Sequence, residues 1–426
     1  MLDLNFIIEN PDKVKEAVKN KNLTADVDLI LEKVEEWKKI SLEVQKLREE
    51  RNVVAKQVQN AINGKKAEII DHGKRIKQEL EEKEKILRKL HDEDLHPLLI
   101  SLPNPPKDDV KVGKDESMNE VIRKYKEPTK FDFEPKDHLT LGEALDLIDV
   151  ERAAKVSGTR FAYLKGDAVL LEFALVQFAL ETLVKEGFIP VVPPVLIKKE
   201  MTEGLGYWQA GGNEDYYYLH EPEDNIDFYL VGTAEHAIVP MHKDETFAKK
   251  DLPHRYVGFS SAFRREAGTY GKDTKGILRV HQFDKVEMVS FTEKGKDDEE
   301  HEYLLSLEEK FFQSLAIPYQ VIKMCSGDLG FPAARKYDIE AWMPGQQRYR
   351  EVTSVSTVTD FQSRRLKIRY RDGEKTEFVS ILNGTAFAIG RTIIAIMENY
   401  QQKDGSIVIP KVLRKYMGKD KITSQK

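Results

Sequence analysis

Between Ser260 and Met288 the chain reads SSAFRREAGTYGKDTKGILRVHQFDKVEM, a pattern of strand, polar glycine-rich loop and second strand. Side chains two apart on a strand share a face. Arg264 and Glu266 are therefore expected together, and Arg279, His281, Phe283, Lys285 and Glu287 share a face of the second strand. Its opposite face holds Leu278, Val280, Val286 and Met288, interrupted by Gln282 and Asp284. A core face would be apolar, so charges around one aromatic ring mark either a binding face or a merely solvated one. At about 3.3 Å per residue, Phe283 and Glu287 stand about 13 Å apart. That separation suits the two ends of an aminoacyl nucleotide, with the base on the ring and a polar or cationic group near the carboxylate.

Two further segments carry the same kind of chemistry. In Gly232-Thr233-Ala234-Glu235, residues Thr233 and Glu235 are expected on one strand face. In LNGTAFAIGRTIIAIMENYQ (382–401), a polar turn at Asn383 to Thr385 is expected to lead into an apolar helix with Arg391 near its start. A half-buried arginine requires an anion, either a phosphate or a core carboxylate. The familiar nucleotide loop GxxxxGK[ST] is absent, as is the G-x-G-x-x-G spacing. The histidines show no i, i+4 pair of metal-ligand type, and no G-x-S-x-G elbow occurs. Metal or covalent catalysis through those residues is not expected.

The elements that must position these residues fall into two groups. From about Asp28 to Leu99 glycine occurs only at Gly64 and Gly73, and the sole proline is Pro97. Apolar residues recur at three, four or seven positions: Ile30, Trp37, Ile40, Val44, Leu47, Val54, Val58 and Ala61, then Ile69, Ile76, Leu80, Leu87 and Leu90. Two antiparallel helices joined at Asn63-Gly64 fit this pattern, projecting as an arm. Between Lys46 and Lys77 nine basic residues face four acidic ones, in a chain of net charge -6. Such a tip is either a solvated face or a phosphate contact, and without interleaved aromatics it suits backbone and shape rather than base stacking. The proline-rich stretch Leu102 to Ser117 reads as a linker. Beyond it, apolar alternation mixes with helical runs at Ala168 to Glu186 and Asp297 to Leu315, which predicts an α+β domain on an antiparallel sheet.

With 426 residues and 40% hydrophobic residues, two or three domains are expected. The acidic balance excludes a nucleic-acid coat or a polybasic membrane binder, so any nucleic-acid contact must be local. No apolar run reaches signal-peptide or membrane-span length, and a cytoplasmic protein is expected. One cysteine, Cys325, excludes an internal disulfide and a cysteine-rich zinc site.

FRREAG with HQFDKVEM, the segment GFIPVVPP from Gly187, and the glycine-to-arginine helix resemble the three signature motifs of class II aminoacyl-tRNA synthetases. Within that class the T-A-E at 233 to 235, REVTS at 350 to 354, LNGT at 382 to 385, the arm and the opening MLDLNFIIENPD resemble the seryl-tRNA synthetase family over essentially the whole chain. The resemblance implies a helical tRNA-binding arm at 1–104, a linker at 105–117 and a catalytic domain at 118–426. It implies that Arg264 holds the ATP α-phosphate and the serine carboxylate, that Glu266 reads the adenine edge and that Phe283 stacks on adenine. Arg265, Val280, Val352 and Thr353 complete the ATP contacts, Arg391 takes the γ-phosphate, and Glu351 with Ser354 coordinates Mg²⁺. The catalytic set is then Arg264, Glu351 and Arg391. L-serine is implied to lie among Thr233, Ala234, Glu235, Arg264, Glu287, Asn383 and Thr385, with the division of roles between Glu235 and Glu287 open. Threonine stands where the family is expected to have serine at Thr353 and Thr385, and either hydroxyl can donate. The tRNA(Ser) contacts are implied at Arg48, Arg51, Lys56, Lys65, Lys66, Lys74, Arg75 and Lys77, with tRNA(Sec) charged where present. The Gly187 to Leu196 segment is implied to form much of a homodimer interface. Paralogues that charge carrier proteins lack the arm and use cysteine-bound zinc, unlike this chain.

Overall fold

The computed structural model describes residues 1–60, 65–208, 212–223, 225–267 and 275–424. They form two compact units, Met1–Lys19 with Leu23–Pro103, and Asn20–Asn22 with Asn104–Lys426.

The first unit is built on α1 (Val27–Asn60) and α2 (Lys66–Lys89). Val27, Ile30, Val34, Val44 and Val54 on α1 are buried, as are Ile76 and Leu80 on α2 and Leu90 just after it. So narrow a stripe covers one partner helix and leaves the rest of the surface to water. Lys83 meets Glu43 at 2.6 Å and His72 meets Glu50 at 3.3 Å, so positions fall along α2 as they rise along α1. Gly73 allows close approach, since a Cβ there would lie 3.3 Å from Val54 Cγ1. Val34 joins the seam although the spacing did not single it out, while Trp37, Ile40 and Leu47 are only half-buried. Ala61 and the Asn63-Gly64 turn lie outside the described residues. After Lys89 the helix widens into a π turn, Leu90–Leu95, before His96–Ile100.

The second unit is organised by β1 (Glu120–Tyr125), β2 (Ile189–Val191), β3 (His254–Phe263), β4 (Gln282–Thr292), β5 (Tyr319–Lys323), β6 (Arg335–Met343), β7 (Arg348–Thr359) and β8 (Ser380–Ala388). They make one eight-stranded sheet in the order β1-β5-β6-β7-β8-β4-β3-β2. Every neighbour is antiparallel except β2 on β3. The back of the sheet is covered by α3 (Asp167–Lys185), α5 (Asp297–Ser314) and α7 (Ile389–Tyr400), and a short α4 (Glu235–Ile238) and α6 (Phe361–Leu366) lie between them in the chain. Leu171, Leu175, Leu304, Phe311, Phe312, Ile393 and Met397 pack there with Val286, Met288, Val355 and Leu382. A smaller cluster, with Ile238, Val289, Phe291 and Ile381, covers one end of the front. The remainder of the front is polar.

The stretch expected as a linker is bound along this unit. Asn104 and Lys107 donate from their backbones to Phe331 and Ala334 at 3.1 and 2.9 Å, and Val110 packs on Met324 and Leu329. Its prolines fix an extended path that neighbouring carbonyls can hold.

Candidate active site

Two bulges decide what the front of the sheet presents. Between β6 and β7 the pairs are Asp338 with Ser354, Ile339 with Thr353 and Glu340 with Glu351, so Val352 is the extra residue. Asp338 and Glu340 are two apart and share a face, so their partners Ser354 and Glu351 share it also. Val352 and Thr353 turn to the back, where both are buried. Between β4 and β8 a second shift pairs Glu287 with Thr385 and Val289 with Asn383. Phe283, Lys285, Glu287, Asn383, Thr385, Ser354 and Glu351 thus stand on one surface.

At one end of this surface two carboxyl groups are enclosed. Glu287 is 1% exposed and pairs with Lys285 Nζ at 2.5 Å, while Thr385 Oγ1 donates to it at 3.2 Å. Lys285 Nζ also reaches Thr233 Oγ1 at 3.4 Å. Glu235, also 1% exposed, accepts from Tyr207 Oη at 3.1 and 3.0 Å, from Gln362 at 3.0 Å and from Asn383 Nδ2. Burial raises Glu235 to about 7, assisted by Glu287 and opposed by Gln362, Lys285 and Tyr207. Thr233 and Glu235 do not share a strand, contrary to the alternation drawn for them. Thr233 and Ala234 lie in a tight loop and Glu235 opens α4, so its carboxyl enters the pocket from a helix. Asn383 and Thr385 belong to β8 rather than to a turn, because that run continues the sheet ladder up to Ala388.

Arg264 lies beside this pocket. Its Nε and Nη2 donate to Gly232 O at 3.2 and 3.1 Å, and its guanidinium carbon is 5.5 Å from the Phe283 ring centre. Gly232 also donates to the buried, neutral His236 at 3.1 Å. A side chain at Gly232 would put its Cβ 2.8 Å from Tyr216, so close packing requires glycine here. β3 ends at Phe263 and Glu266 has φ of 52°, so Arg264 and Glu266 are not strand neighbours. Glu266 is met by Arg279 at 3.2 Å, and His281 Nδ1 lies 2.9 Å from Arg264 O. Arg279 and His281 precede β4, which begins at Gln282, so only Phe283, Lys285 and Glu287 share the expected strand face. The exposed Arg265 donates from its backbone to Asp215 O at 2.8 Å, and Val280 is buried in the core. At the far end Arg391, in the first turn of α7, meets Glu351 Oε2 at 3.1 Å and donates to Leu278 O at 3.3 Å. Burial pushes Glu351 up, but Arg391, Lys336 and Arg264 together hold it down at about 2. Its carboxylate is ionised.

Residues 1–106 match the family described as the seryl-tRNA synthetase N-terminal domain, and residues 217–400 match the class II core domain of the G, H, P, S and T tRNA synthetases. A serine--tRNA ligase of Thermodesulfovibrio yellowstonii is 43% identical over 99% of this chain and 100% of its own length. One from Dictyoglomus thermophilum is 45% identical, with 100% of both chains covered. The crystal structure of seryl-tRNA synthetase from Pyrococcus horikoshii complexed with ATP superposes with a TM-score of 0.90 at 40% identity, covering 100% of each chain. The chain belongs to the seryl-tRNA synthetase family, the class II serine--tRNA ligases.

Within that family frame, all eight basic residues singled out on the arm, Arg48, Arg51, Lys56, Lys65, Lys66, Lys74, Arg75 and Lys77, are exposed on α1, α2 or the turn residue before α2. Arg48 pairs with Glu84 at 2.7 Å, Lys77 lies 3.8 Å from Glu81, and Arg75 pairs with Asp71 one helical turn away. Sequence reasoning overlooked Tyr207, Gln362 and His236, which only the fold brings to the pocket. It also overlooked Asp338, which alternation along KYDIE could have flagged beside REVTS.

The residues present fit a hard cation. Glu351 offers an ionised carboxylate and Ser354 a hydroxyl that hydrogen-bonds Asp338. Asp338 Oδ1 is buried without a hydrogen-bond partner, 3.6 Å from Lys336 Nζ. Oxygen donors of this kind suit Mg²⁺. Among the described residues no group of three or more His, Cys, Asp or Glu could hold a metal alone, so ligand or water oxygens must complete the shell. Thr353, expected at the nucleotide, turns its hydroxyl to the back and donates it to Glu308 at 2.7 Å. Only its backbone remains for the front.

Proposed function

We propose that the chain joins L-serine to tRNA(Ser) in two steps on the front of this sheet, and that it charges tRNA(Sec) where that tRNA exists. The observation that carries the reading is one surface joining two enclosed carboxyls, Glu235 and Glu287, to an arginine–aromatic pair, Arg264 and Phe283, and then to Arg391 with Glu351. Phe283 supports the adenine, Glu266 its edge, and Arg264 the α-phosphate beside the serine carboxylate. A serine carboxylate oxygen bonds to the α-phosphorus in line as the bond to pyrophosphate breaks. Arg264 and Arg391 offset the charge of two anionic reactants and of the leaving group. Glu351 and Ser354 would hold Mg²⁺, which supplies further neutralisation of the phosphates. No side-chain nucleophile is required. The terminal ribose hydroxyl of tRNA then attacks the seryl carbonyl and releases AMP.

Glu235, Glu287, Thr385 and Asn383 meet the serine ammonium and hydroxyl between them. A site that pairs a hydroxyl rejects the analogue lacking it by about 10⁴ to 10⁵, which disposes of alanine. Threonine must be excluded by shape.

The exposed cations of α1 and α2 fit the backbone of tRNA, and phosphate neutralisation carries the affinity. Ile189, Val192 and Leu196, with Leu170 and Phe173 on α3, expose large apolar side chains, Val192 at 82% and Phe173 at 57%. An apolar patch of this kind supports a homodimer formed through the Gly187 to Leu196 segment and α3. No helix among the described residues is long and apolar enough to cross a membrane, and the reading places the enzyme in the cytoplasm. Serine-dependent exchange of labelled pyrophosphate into ATP, run across the amino acids with magnesium present, tests the function. Exchange with serine alone is expected, and none with serine would refute it.

A further inference from the structure

The bulge at Val352 has a fixed consequence for the phosphate end of the site. If β7 continued in regular register from Thr353, Val352 would oppose Glu340 and Glu351 would turn to the back. A single-residue slip exchanges the two faces of a strand. The bulge alone keeps Glu351 beside Ser354 on the front and gives Val352 to the core.

Directly behind this point lies a carboxyl group that the chemistry does not use. Glu308 of α5 is 0% exposed, and its Oε2 accepts from Thr353 Oγ1 at 2.7 Å. Its Oε1 has no hydrogen-bond partner. Burying such a group is costly, and an apolar residue of equal size would pack there more favourably if packing were its only task. The neighbouring strand leaves room for it. Gly384 lies beside Glu308, and a Cβ at that position would approach Oε1 to 3.0 Å and the side chains of Met288 and Val355 to 3.2 Å. Thr353 is the residue immediately after the bulged Val352 and immediately before Ser354, so its hydroxyl is the last side-chain anchor on the back before the strand changes register.

We propose that Glu308 is a positioning residue for the phosphate end of the site. Through Thr353 it pins the bulge at Val352, and the bulge holds Glu351 and Ser354 side by side on the front. Glu308 touches neither substrate, and Gly384 is the space the acid needs. This inference rests on the reading of Glu351 and Ser354 as the magnesium and phosphate pair.

The test uses the full chain with Glu308→Leu, Glu308→Gln and Thr353→Val, the last keeping the shape of the side chain while removing its donor. Equilibrium affinity is measured for AMP in excess chelator and for ATP with magnesium, alongside KM for serine and the cooperativity of thermal unfolding. Glu308→Leu and Thr353→Val should hold AMP within about twofold of the parent and weaken ATP with magnesium by roughly tenfold to a hundredfold, the scale of misplacing a positioned group by about 1 Å. The KM for serine should stay within about twofold, and Glu308→Gln, which keeps an acceptor for Thr353, should recover most of the loss. Equal weakening of AMP and of ATP with magnesium, or no weakening of either, would overturn the proposal. If Glu308→Leu does not fold, Thr353→Val decides by the same two affinities. Ser354→Ala separates the two levels. Should it leave the affinity for ATP with magnesium unchanged, the reading of the pair itself fails, whereas a loss there without one in Thr353→Val removes only the role of Glu308.

Discussion

The arm and the front of the sheet are both rich in charge, yet water treats them differently. Arg48, Arg75 and Lys77 are exposed on α1 and α2, and their ion pairs with Glu84, Asp71 and Glu81 are made in solvent. Such exposed pairs contribute little to stability and weaken in salt. In the pocket at the front of the sheet, Lys285 and Glu287 are buried at 2.5 Å, and Glu235 is held by three side chains. Removing Lys285 or Glu287 leaves the other as an uncompensated buried charge, which costs several times more. Exposed charges act in sum and are exchangeable, whereas enclosed ones act singly and by position.

That contrast can be broken by experiment. Deleting Asp26 to Asp94 is expected to leave pyrophosphate exchange within about twofold while tRNA charging falls by roughly 10³ or more, the scale of losing several phosphate contacts. Equal damage to both reactions would make the arm a structural part of the catalytic unit. Replacing one residue of the pocket should rival that whole deletion in the other assay, with Arg264→Ala slowing exchange by about 10² to 10³. Glu287→Ala should raise the serine KM by about tenfold or more, with the ATP KM changing far less. A larger effect on ATP would reverse the assignment of the two ends. At the small end, Lys56→Ala should weaken tRNA binding uniformly, lower the salt slope by about one and shift stability by no more than about 0.5 kcal/mol. A loss above tenfold in tRNA affinity would show that the arm, too, acts by position.

The enclosed acids also set a pH dependence. Glu235 is raised from 4.5 to about 7, so the fold retains a proton that the unfolded chain releases. Stability from this group is present below the unfolded value and declines as pH rises through that window. Glu172 on α3, raised by burial and by Asp284, acts in the same direction. Thermal unfolding from about pH 5 to about pH 8 should show Glu235→Gln flattening part of that decline. An unchanged slope would place the titration elsewhere.

Much of the molecule was legible from local pattern. The helices at Asp167–Lys185 and Asp297–Ser314 lie where apolar periodicity put them, because a helix packed on a sheet must keep one continuous stripe. Phe283, Lys285 and Glu287 share a face because strand alternation is a covalent property of the chain. The same rule failed for Arg264 with Glu266, for Arg279 with His281 and for Thr233 with Glu235. In each case the strand had ended or never begun, and strand ends are set by partners elsewhere in the sequence.

The sequence by itself therefore determined the two-helix arm, the α+β unit, the residue types of the site and, through its motifs, the family. Only the tertiary structure decided which of those residues meet. Glu351 and Ser354 are three apart and would sit on opposite faces of a regular strand, but the bulge against β6 places them together. Tyr207, Gln362 and Asn383 converge on Glu235 from separate elements, and Lys285 reaches Thr233 across a loop. Local periodicity follows from the geometry of one strand or helix, whereas register and bulges depend on which partner each strand pairs with, and that is settled only when the whole sheet closes on its core.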